Sequence, residues 1–260
     1  MADDRKTDRR SPPTTASDTA PDTTPAPTGA GAVADFLAQV AALDDRSTGG
    51  VRARRGRLIF ALDATASRQP TWDSACHIQA EMFEATAALG GLDVQLVYYR
   101  GFRQIRASRW IASARALTDL MLQVQCQAGH TQIGRLLRHV HKQARTAPVD
   151  AVVFVGDACE EDIDQVADAA GRLGLLGVPV FIFHEGNDPA AGRVFAEIAR
   201  LTRGACCHFD RASAGQLRAL LGAVAAYAAG GRPALARYGE REGQVVRLIA
   251  SQLGADGPAD

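Results

Sequence analysis

The sequence lacks an excess of charge of either sign. Its 29 lysines and arginines balance 29 aspartates and glutamates, which gives a formal net charge of zero at pH 7. Proteins that bind DNA or RNA usually concentrate basic charge, because the phosphate backbone supplies most of their affinity. The total charge therefore gives no reason to expect a nucleic-acid partner, and none is predicted.

Long hydrophobic segments are also missing. No apolar run approaches the roughly 18 residues that indicate a membrane-spanning helix, and the polar amino terminus lacks the apolar stretch of a secretory signal. The five cysteines are an odd number without CxxC spacing, which indicates reduced thiols rather than a disulfide framework. Together these features predict a cytoplasmic protein with no membrane partner.

Two phosphate-binding loops are absent as well. Neither GxxxxGK[ST] nor GxGxxG follows a predicted strand. Those loops present backbone N–H groups to the phosphates of nucleotides and dinucleotides. The sequence therefore does not favour an NTPase or a dinucleotide-dependent enzyme.

Composition divides the chain into four parts. Residues 1–31 are rich in Asp, Thr, Pro, Ala and Ser, so they cannot bury enough apolar surface to offset the entropy of ordering, and a disordered tail is predicted. Residues 32–56 predict a short amphipathic helix and a linker. Residues 57–229 predict the folded domain, and residues 230–260 a partly helical extension.

Apolar runs of strand length alternate with helical patterns through the central part. This alternation predicts an α/β fold, a Rossmann-like, doubly wound and mostly parallel six-stranded sheet with helices on both faces. A short polar strand in 101–108 is expected at an edge of the sheet. The predicted strands lie within 58–63, 94–100, 101–108, 149–156, 178–183 and 205–209.

Oxygen-bearing side chains follow the first and fourth strands. Asp63-Ala64-Thr65-Ala66-Ser67 ends the first strand, Asp157 ends the fourth, and Thr131 precedes a helix. If the strand order reverses beside the first strand, the two aspartates meet at the switch point. Carboxylates about 4 Å apart repel by roughly 4 kcal/mol at an effective dielectric constant near 20, and a divalent cation would convert this repulsion into binding. The alternative is that these residues only close turns and cap helices.

This pattern of Asp63, Thr65, Ser67, Thr131 and Asp157 resembles the metal-ion-dependent adhesion site (MIDAS) of von Willebrand factor A (VWA) domains. The resemblance covers residues 57–228 and is to bacterial stand-alone domains of that family. It implies that the five residues bind Mg²⁺ or Mn²⁺, with Asp157 often acting through water. It further implies a non-enzymatic protein-interaction module, in which an acidic side chain of a partner protein completes the coordination of the ion. Thr65 departs from the family's Ser, and Ala158 stands where Gly often follows.

Two other functions are compatible with the same residues. A Mg²⁺ ion at the switch point can activate water, which would make the protein a metal-dependent hydrolase of phosphate esters. Phosphatases of the haloacid dehalogenase type, however, carry a second Asp where this chain has Thr65. If the metal site is degenerate, the domain would be an interaction scaffold that needs no metal.

The neighbouring charged and aromatic residues allow further predictions. Glu160-Glu161-Asp162 is interpreted as a helix start, and His130 as a residue that orients the Thr131 loop. Phe102 and Trp110 are expected near the rim of the site, among interleaved arginines. Aromatic residues and arginine are enriched at binding hot spots. The alternative is an edge strand kept soluble by arginines, with Trp110 packed beneath it.

Overall fold

The computed structural model describes residues 35–36, 38–39, 55–73, 91–209 and 214–253. The predicted disordered tail lies outside these residues, as do most of the predicted linker and the helix predicted over 73–89 apart from Asp73. Within the predicted amino-terminal helix, the four described residues are helical. Phe36 is buried there, with its ring edge-on to Phe181 and Phe183.

Six strands and five longer helices are described, together with a 3-10 turn at Ala66–Arg68. The strands are β1 (Gly56–Asp63), β2 (Leu92–Arg100), β3 (Gln104–Ala107), β4 (Ala151–Gly156), β5 (Val180–Glu185) and β6 (Ala205–Phe209). The helices are α1 (Ala114–Met121), α2 (Ile133–Thr146), α3 (Ile163–Leu175), α4 (Pro189–Thr202) and α5 (Ala214–Leu253).

The strands form one sheet in the order β3-β2-β1-β4-β5-β6. All neighbours are parallel except β2 and β3, which pair antiparallel at the edge. This arrangement confirms the predicted doubly wound sheet and its short edge strand. Since β1 lies between β2 and β4, the strand order reverses at β1, and the carboxyl ends of β1 and β4 lie side by side.

Both faces of the sheet are covered, which explains why its central strands are apolar along their whole length. Phe60 and Val153 face a core that includes Val224 of α5. Ile59 and Val152 face the opposite core, which α2, α3 and α4 cover. The predicted helices on both faces are therefore confirmed.

Two helices differ from their predicted bounds. The helix expected over 111–124 is confined to α1, because Ile111 and Val94 exchange two backbone hydrogen bonds of 2.8 Å. The last helix continues beyond the predicted end at 228 as α5, but Gly230 and Gly231 interrupt it with non-helical dihedral angles. After this break, Leu235 returns to the core. No described helix is long and apolar enough to cross a membrane.

Candidate metal centre

Asp63 is the last residue of β1 and is only 2% exposed. Its Oδ1 accepts a hydrogen bond of 2.8 Å from the backbone N–H of Thr65, and its Oδ2 accepts one of 3.2 Å from the hydroxyl of Tyr99. Tyr99 is the partner of Asp63 in the β1–β2 register. Burial raises the pKa of Asp63, hydrogen bonds from Thr65 lower it, Asp157 adds to the increase and Arg68 opposes it.

The hydroxyl groups of Thr65 and Ser67 lie beside this carboxylate. Their oxygens are 3.4 Å apart, and the Ser67 hydroxyl donates to Oδ2 of Asp157 at 3.4 Å. Asp157 directly follows β4. The loop after β1 and the loop after β4 therefore meet, as expected for adjacent parallel strands.

Thr131 reaches the same place from the loop before α2. It is buried, and its Oγ1 accepts a hydrogen bond of 2.9 Å from the backbone N–H of Glu160. The Glu160 carboxylate in turn contacts Nδ1 of His130 at 2.8 Å and the backbone N–H of Thr131 at 3.4 Å. These bonds tie the two loops together, and the contact of His130 with Glu160 agrees with the expected role of His130 beside the Thr131 loop.

The acidic triplet Glu160-Glu161-Asp162 does more than start the predicted helix. Asp162 does cap α3, since its side chain accepts from the backbone N–H of Gln165 at 3.0 Å. Glu161 instead accepts from the backbone N–H groups of Ile133 and Gly134, at the start of α2. The first N–H groups of a helix have no partner within the helix and lie at the positive end of its dipole, so a carboxylate is favoured there. Short acidic runs do not reveal which helix they cap.

All five predicted ligands line a single pocket of about 250 Å³. The predicted ligands supply two carboxylates and three hydroxyls, Glu160 adds a third carboxylate, and the remaining wall is formed by Ala66, Ala128, Gly129 and Ala158. Among the described residues, no group of three or more His, Cys, Asp or Glu side chains is placed to hold a metal ion. The pocket offers hard oxygen donors instead, a set that suits Mg²⁺ or Mn²⁺ better than zinc.

No protein-family model and no curated protein sequence matches the chain. Solved structures do match it. The VWA domain of SpRpn10 is 12% identical, with a TM-score of 0.50 over 64% of this chain and 94% of that domain. The von Willebrand factor domain of the pilus tip protein Mfa5 from Porphyromonas gingivalis is 9% identical, with a TM-score of 0.53 over 66% of this chain and 95% of that domain. This chain has the VWA fold.

A third similar structure is that of proximal thread matrix protein 1 from the mussel byssus, with a zinc-occupied MIDAS motif. It is 14% identical, with a TM-score of 0.53 over 66% of this chain. The aligned region spans about half of that protein, 48% of its length. The fold is therefore shared with a structure whose MIDAS motif holds a divalent ion.

Near the pocket of this VWA fold, the residue after Ser67 belongs to a buried cluster that sequence patterns did not reveal. Arg68, which directly follows Ser67, forms an ion pair with Glu185 at the end of β5, and Thr71 donates its hydroxyl to the same carboxylate. All three side chains are buried. No local pattern indicated this cluster, because Glu185 follows the predicted strand over 178–183 and stands in a polar segment.

The expected aromatic rim is only partly correct. Phe102 is 74% exposed and lies edge-on to His130, with the ring centroids 5.4 Å apart. Trp110 is not at the rim, because its ring stacks with the guanidinium of Arg57 at 3.9 Å. Arg57 lies at the amino end of β1, about 20 Å along the strand from Asp63. Trp110 packs against the core there, as the alternative interpretation predicted.

None of the four described cysteines forms a disulfide. Burial raises the pKa of Cys206 and of Cys207 to about 12, and that of Cys126 to about 11. Since the thiolate is the nucleophile and the metal ligand, thiols with such high pKa values are poorly suited to either role near neutral pH. They serve as small apolar groups.

Proposed function

We propose that the pocket binds Mg²⁺ or Mn²⁺ through Asp63, Thr65, Ser67, Thr131 and Asp157, and that the ion bridges this chain to an acidic side chain of a partner protein. The observation that carries the proposal is the meeting of these five oxygen donors, from three separate loops, in one pocket at the switch point. The interaction module comprises residues 57–229, and residues 230–260 form an extension that returns Leu235 to the core.

The electrostatics of the pocket support a cation. Asp63 is removed from water and lies near a second carboxylate, and these two conditions raise its pKa. A divalent ion would compensate both charges, and the hydroxyl oxygens would add neutral ligands. An ion held in this way accepts a further carboxylate without any bond being broken, so the proposed role is non-enzymatic.

The cellular setting is part of the proposal. The described cysteines form no disulfide, which supports a reducing compartment, and we propose the cytoplasm. The neutral total charge supports a protein partner rather than a nucleic acid. Mfa5 and the pilus adhesin SpaC, both similar to this chain in structure, are pilus proteins by description, which supports an interaction role.

Calorimetric titration with Mg²⁺ and Mn²⁺ tests the ion site. We expect one-site binding by the wild type and its loss in Asp63→Ala and in Asp157→Ala. The matched control is Asp168→Ala, which removes an exposed carboxylate of α3 and should bind the ion like the wild type. Unchanged binding by Asp63→Ala would contradict the site, and absence of binding at millimolar ion would reduce the function to a metal-independent scaffold.

A further inference from the structure

The turn that joins β2 to β3 presents an aromatic and a basic side chain beside the pocket. We call residues 101–103, Gly101, Phe102 and Arg103, the rim turn. Phe102 and Arg103 are both exposed. Gly101 has φ of 54° and Arg103 has φ of 57°. Positive φ is ordinary for glycine but uncommon for arginine, so the turn has a specific conformation rather than a generic one.

The rim turn is fastened to the pocket wall. The backbone N–H of Gly101 donates to the carbonyl of Gln127 at 3.4 Å, and the side chain of Gln132 donates to the carbonyl of Gly101 at 3.3 Å. Gly129, a residue of the wall, passes so close that a Cβ atom on it would lie 2.1 Å from the Gly101 carbonyl oxygen. The turn therefore keeps its position relative to the pocket.

A short chain of contacts connects Phe102 to the proposed ligands. The Phe102 ring lies edge-on to His130, His130 contacts Glu160 at 2.8 Å, and the backbone N–H of Glu160 donates to Thr131. Both Glu160 and Thr131 line the pocket. A partner segment that enters the pocket with one side chain would thus meet Phe102 with a neighbouring one.

The charge of this region complements an acidic partner. Arg103 is the basic side chain of the rim turn, and no acidic residue lies within 94–118. Arg103 is exposed at the tip, whereas Arg100 is partly buried and donates to the carbonyl of Gln125. Once an ion has compensated Asp63 and Asp157, Arg103 places a positive charge at the rim, and the carboxylate of Glu160 contacts His130 there. Charge complementarity of this kind sets orientation and discriminates against basic partners.

Single exposed apolar side chains are common on protein surfaces and do not need an explanation. Phe102 differs because its turn is fixed, because arginine accompanies it, and because it adjoins a pocket that would accept a carboxylate. We propose that the rim turn is a second contact for the partner. The partner is then a protein segment in which the metal-bound acid lies next to an apolar side chain, and this inference rests on the proposed function.

Defined peptides test the inference. The probes are acetylated, amidated hexapeptides of glycine with one aspartate, in which the residue before or after the aspartate is Phe, Leu, Gly or Lys. Their affinities for the full chain in Mg²⁺ are measured by chemical-shift titration. The residue before the aspartate is varied in one series and the residue after it in the other. In at least one series we expect the Phe and Leu peptides to bind five- to tenfold more tightly than the Gly peptide, and the Lys peptide to bind most weakly.

Variants then locate the preference. Phe102→Ala should remove the advantage of the Phe and Leu peptides while leaving the affinity for the Gly peptide unchanged. Leu175→Ala, which truncates an 86% exposed side chain at the far end of α3, should leave the preference intact. Arg103→Glu should weaken all the peptides and should weaken the Lys peptide least.

The possible failures can be told apart. If the chain binds Mg²⁺ but the peptides of both series all bind equally, or none binds, the rim inference is overturned and the ion site stands. A preference for Phe that persists in excess chelator would also overturn it, because the rim would then act without the ion. If Mg²⁺ does not bind, the proposed function fails and the inference fails with it.

Discussion

The pocket around Asp63 and the buried cluster around Glu185 both lie at the carboxyl ends of the parallel strands, since Asp63 ends β1 and Glu185 ends β5. Both contain carboxylates that burial has separated from water. In the buried cluster the charge is compensated from within, because Arg68 and Thr71 bind the Glu185 carboxylate. In the pocket, Asp63 and Asp157 are both negatively charged. The other lining groups are hydroxyls, small residues and a further acid, and none of them is a cation.

The difference shows why a buried acid does not by itself indicate a binding site. A carboxylate that has its own guanidinium is a structural element, and removing either partner leaves an uncompensated charge. Two carboxylates of the same sign, with neutral oxygen donors around them, are stabilised by a cation from solution. The sign of the neighbouring charges, rather than the number of polar groups, therefore separates a candidate site from a structural cluster.

The largest effect is expected from breaking the buried pair. Glu185→Ala leaves the Arg68 guanidinium buried without its carboxylate, and two of its nitrogens, Nε and Nη2, already have no hydrogen-bond partner among the described residues. We expect the free energy of unfolding to fall by about 3–5 kcal/mol. Urea denaturation at neutral pH, without metal, measures this change.

Two further variants make the result specific to burial. Replacing both partners, as in Arg68→Met with Glu185→Leu, should restore much of the lost stability because no unpaired charge remains. The control is Glu197→Ala, which removes a carboxylate that pairs with Arg200 on the surface of α4. Its midpoint of urea denaturation should not change measurably. A Glu185→Ala protein as stable as the wild type would show that the pair does not hold the loop after Ser67.

The sequence predicts the pocket but not the buried cluster, because only the pocket residues lie at positions that the strand order relates. The sheet order followed from the strand pattern, and it was enough to bring Asp63 and Asp157 together. The buried pair was not predictable, because Arg68 and Glu185 lie 117 positions apart and no local pattern relates them. For Trp110, its closeness in sequence to the β2–β3 turn was misleading, because β3 carries the chain back along the sheet, away from the pocket.

A second effect should appear only in the pocket. At a Mg²⁺ concentration about 100-fold above Kd, an ion that binds only the folded chain adds about 2.7 kcal/mol to the free energy of unfolding. We expect this gain for the wild type and its loss in Thr131→Val, which removes a hydroxyl that lines the pocket. Urea denaturation with and without chelator measures both. An equal gain in Thr131→Val would remove this residue from the ligand set.

Without metal, the pocket should be a place where a charge destabilises the fold. Asp63→Asn removes that charge, and we expect a gain in unfolding free energy of no more than about 1 kcal/mol, because the amide also changes the hydrogen bond from Tyr99. The pKa of Asp63 is raised in the folded state. The gain should therefore be present at neutral pH and vanish as the pH falls through that raised pKa toward 3.8, where the wild-type carboxyl is protonated.

Measuring the stability of Asp63→Asn against pH also shows which result would contradict this prediction. Folded wild type holds its proton at Asp63 more tightly than the unfolded chain, so its stability relative to Asp63→Asn should rise as the pH is lowered. If the variant is less stable than the wild type at neutral pH without metal, the charge is already compensated within the fold. The pocket would then resemble the buried cluster, and the contrast between them would disappear.

The smallest effect concerns the side chain that departs from the VWA pattern. Thr65 differs from the family's Ser by one methyl group, and its hydroxyl lies 3.4 Å from that of Ser67. Thr65→Ser keeps the oxygen and should change the Kd for Mg²⁺ by less than about threefold, while the isosteric Thr65→Val removes the oxygen and should weaken binding roughly tenfold, a loss of about 1.4 kcal/mol. Calorimetry on the pair separates the two contributions. If Ser strengthens binding strongly while Val leaves it unchanged, the methyl group crowds the ion and the Thr65 hydroxyl is not a ligand, so the pocket would hold its cation with four of the five proposed donors.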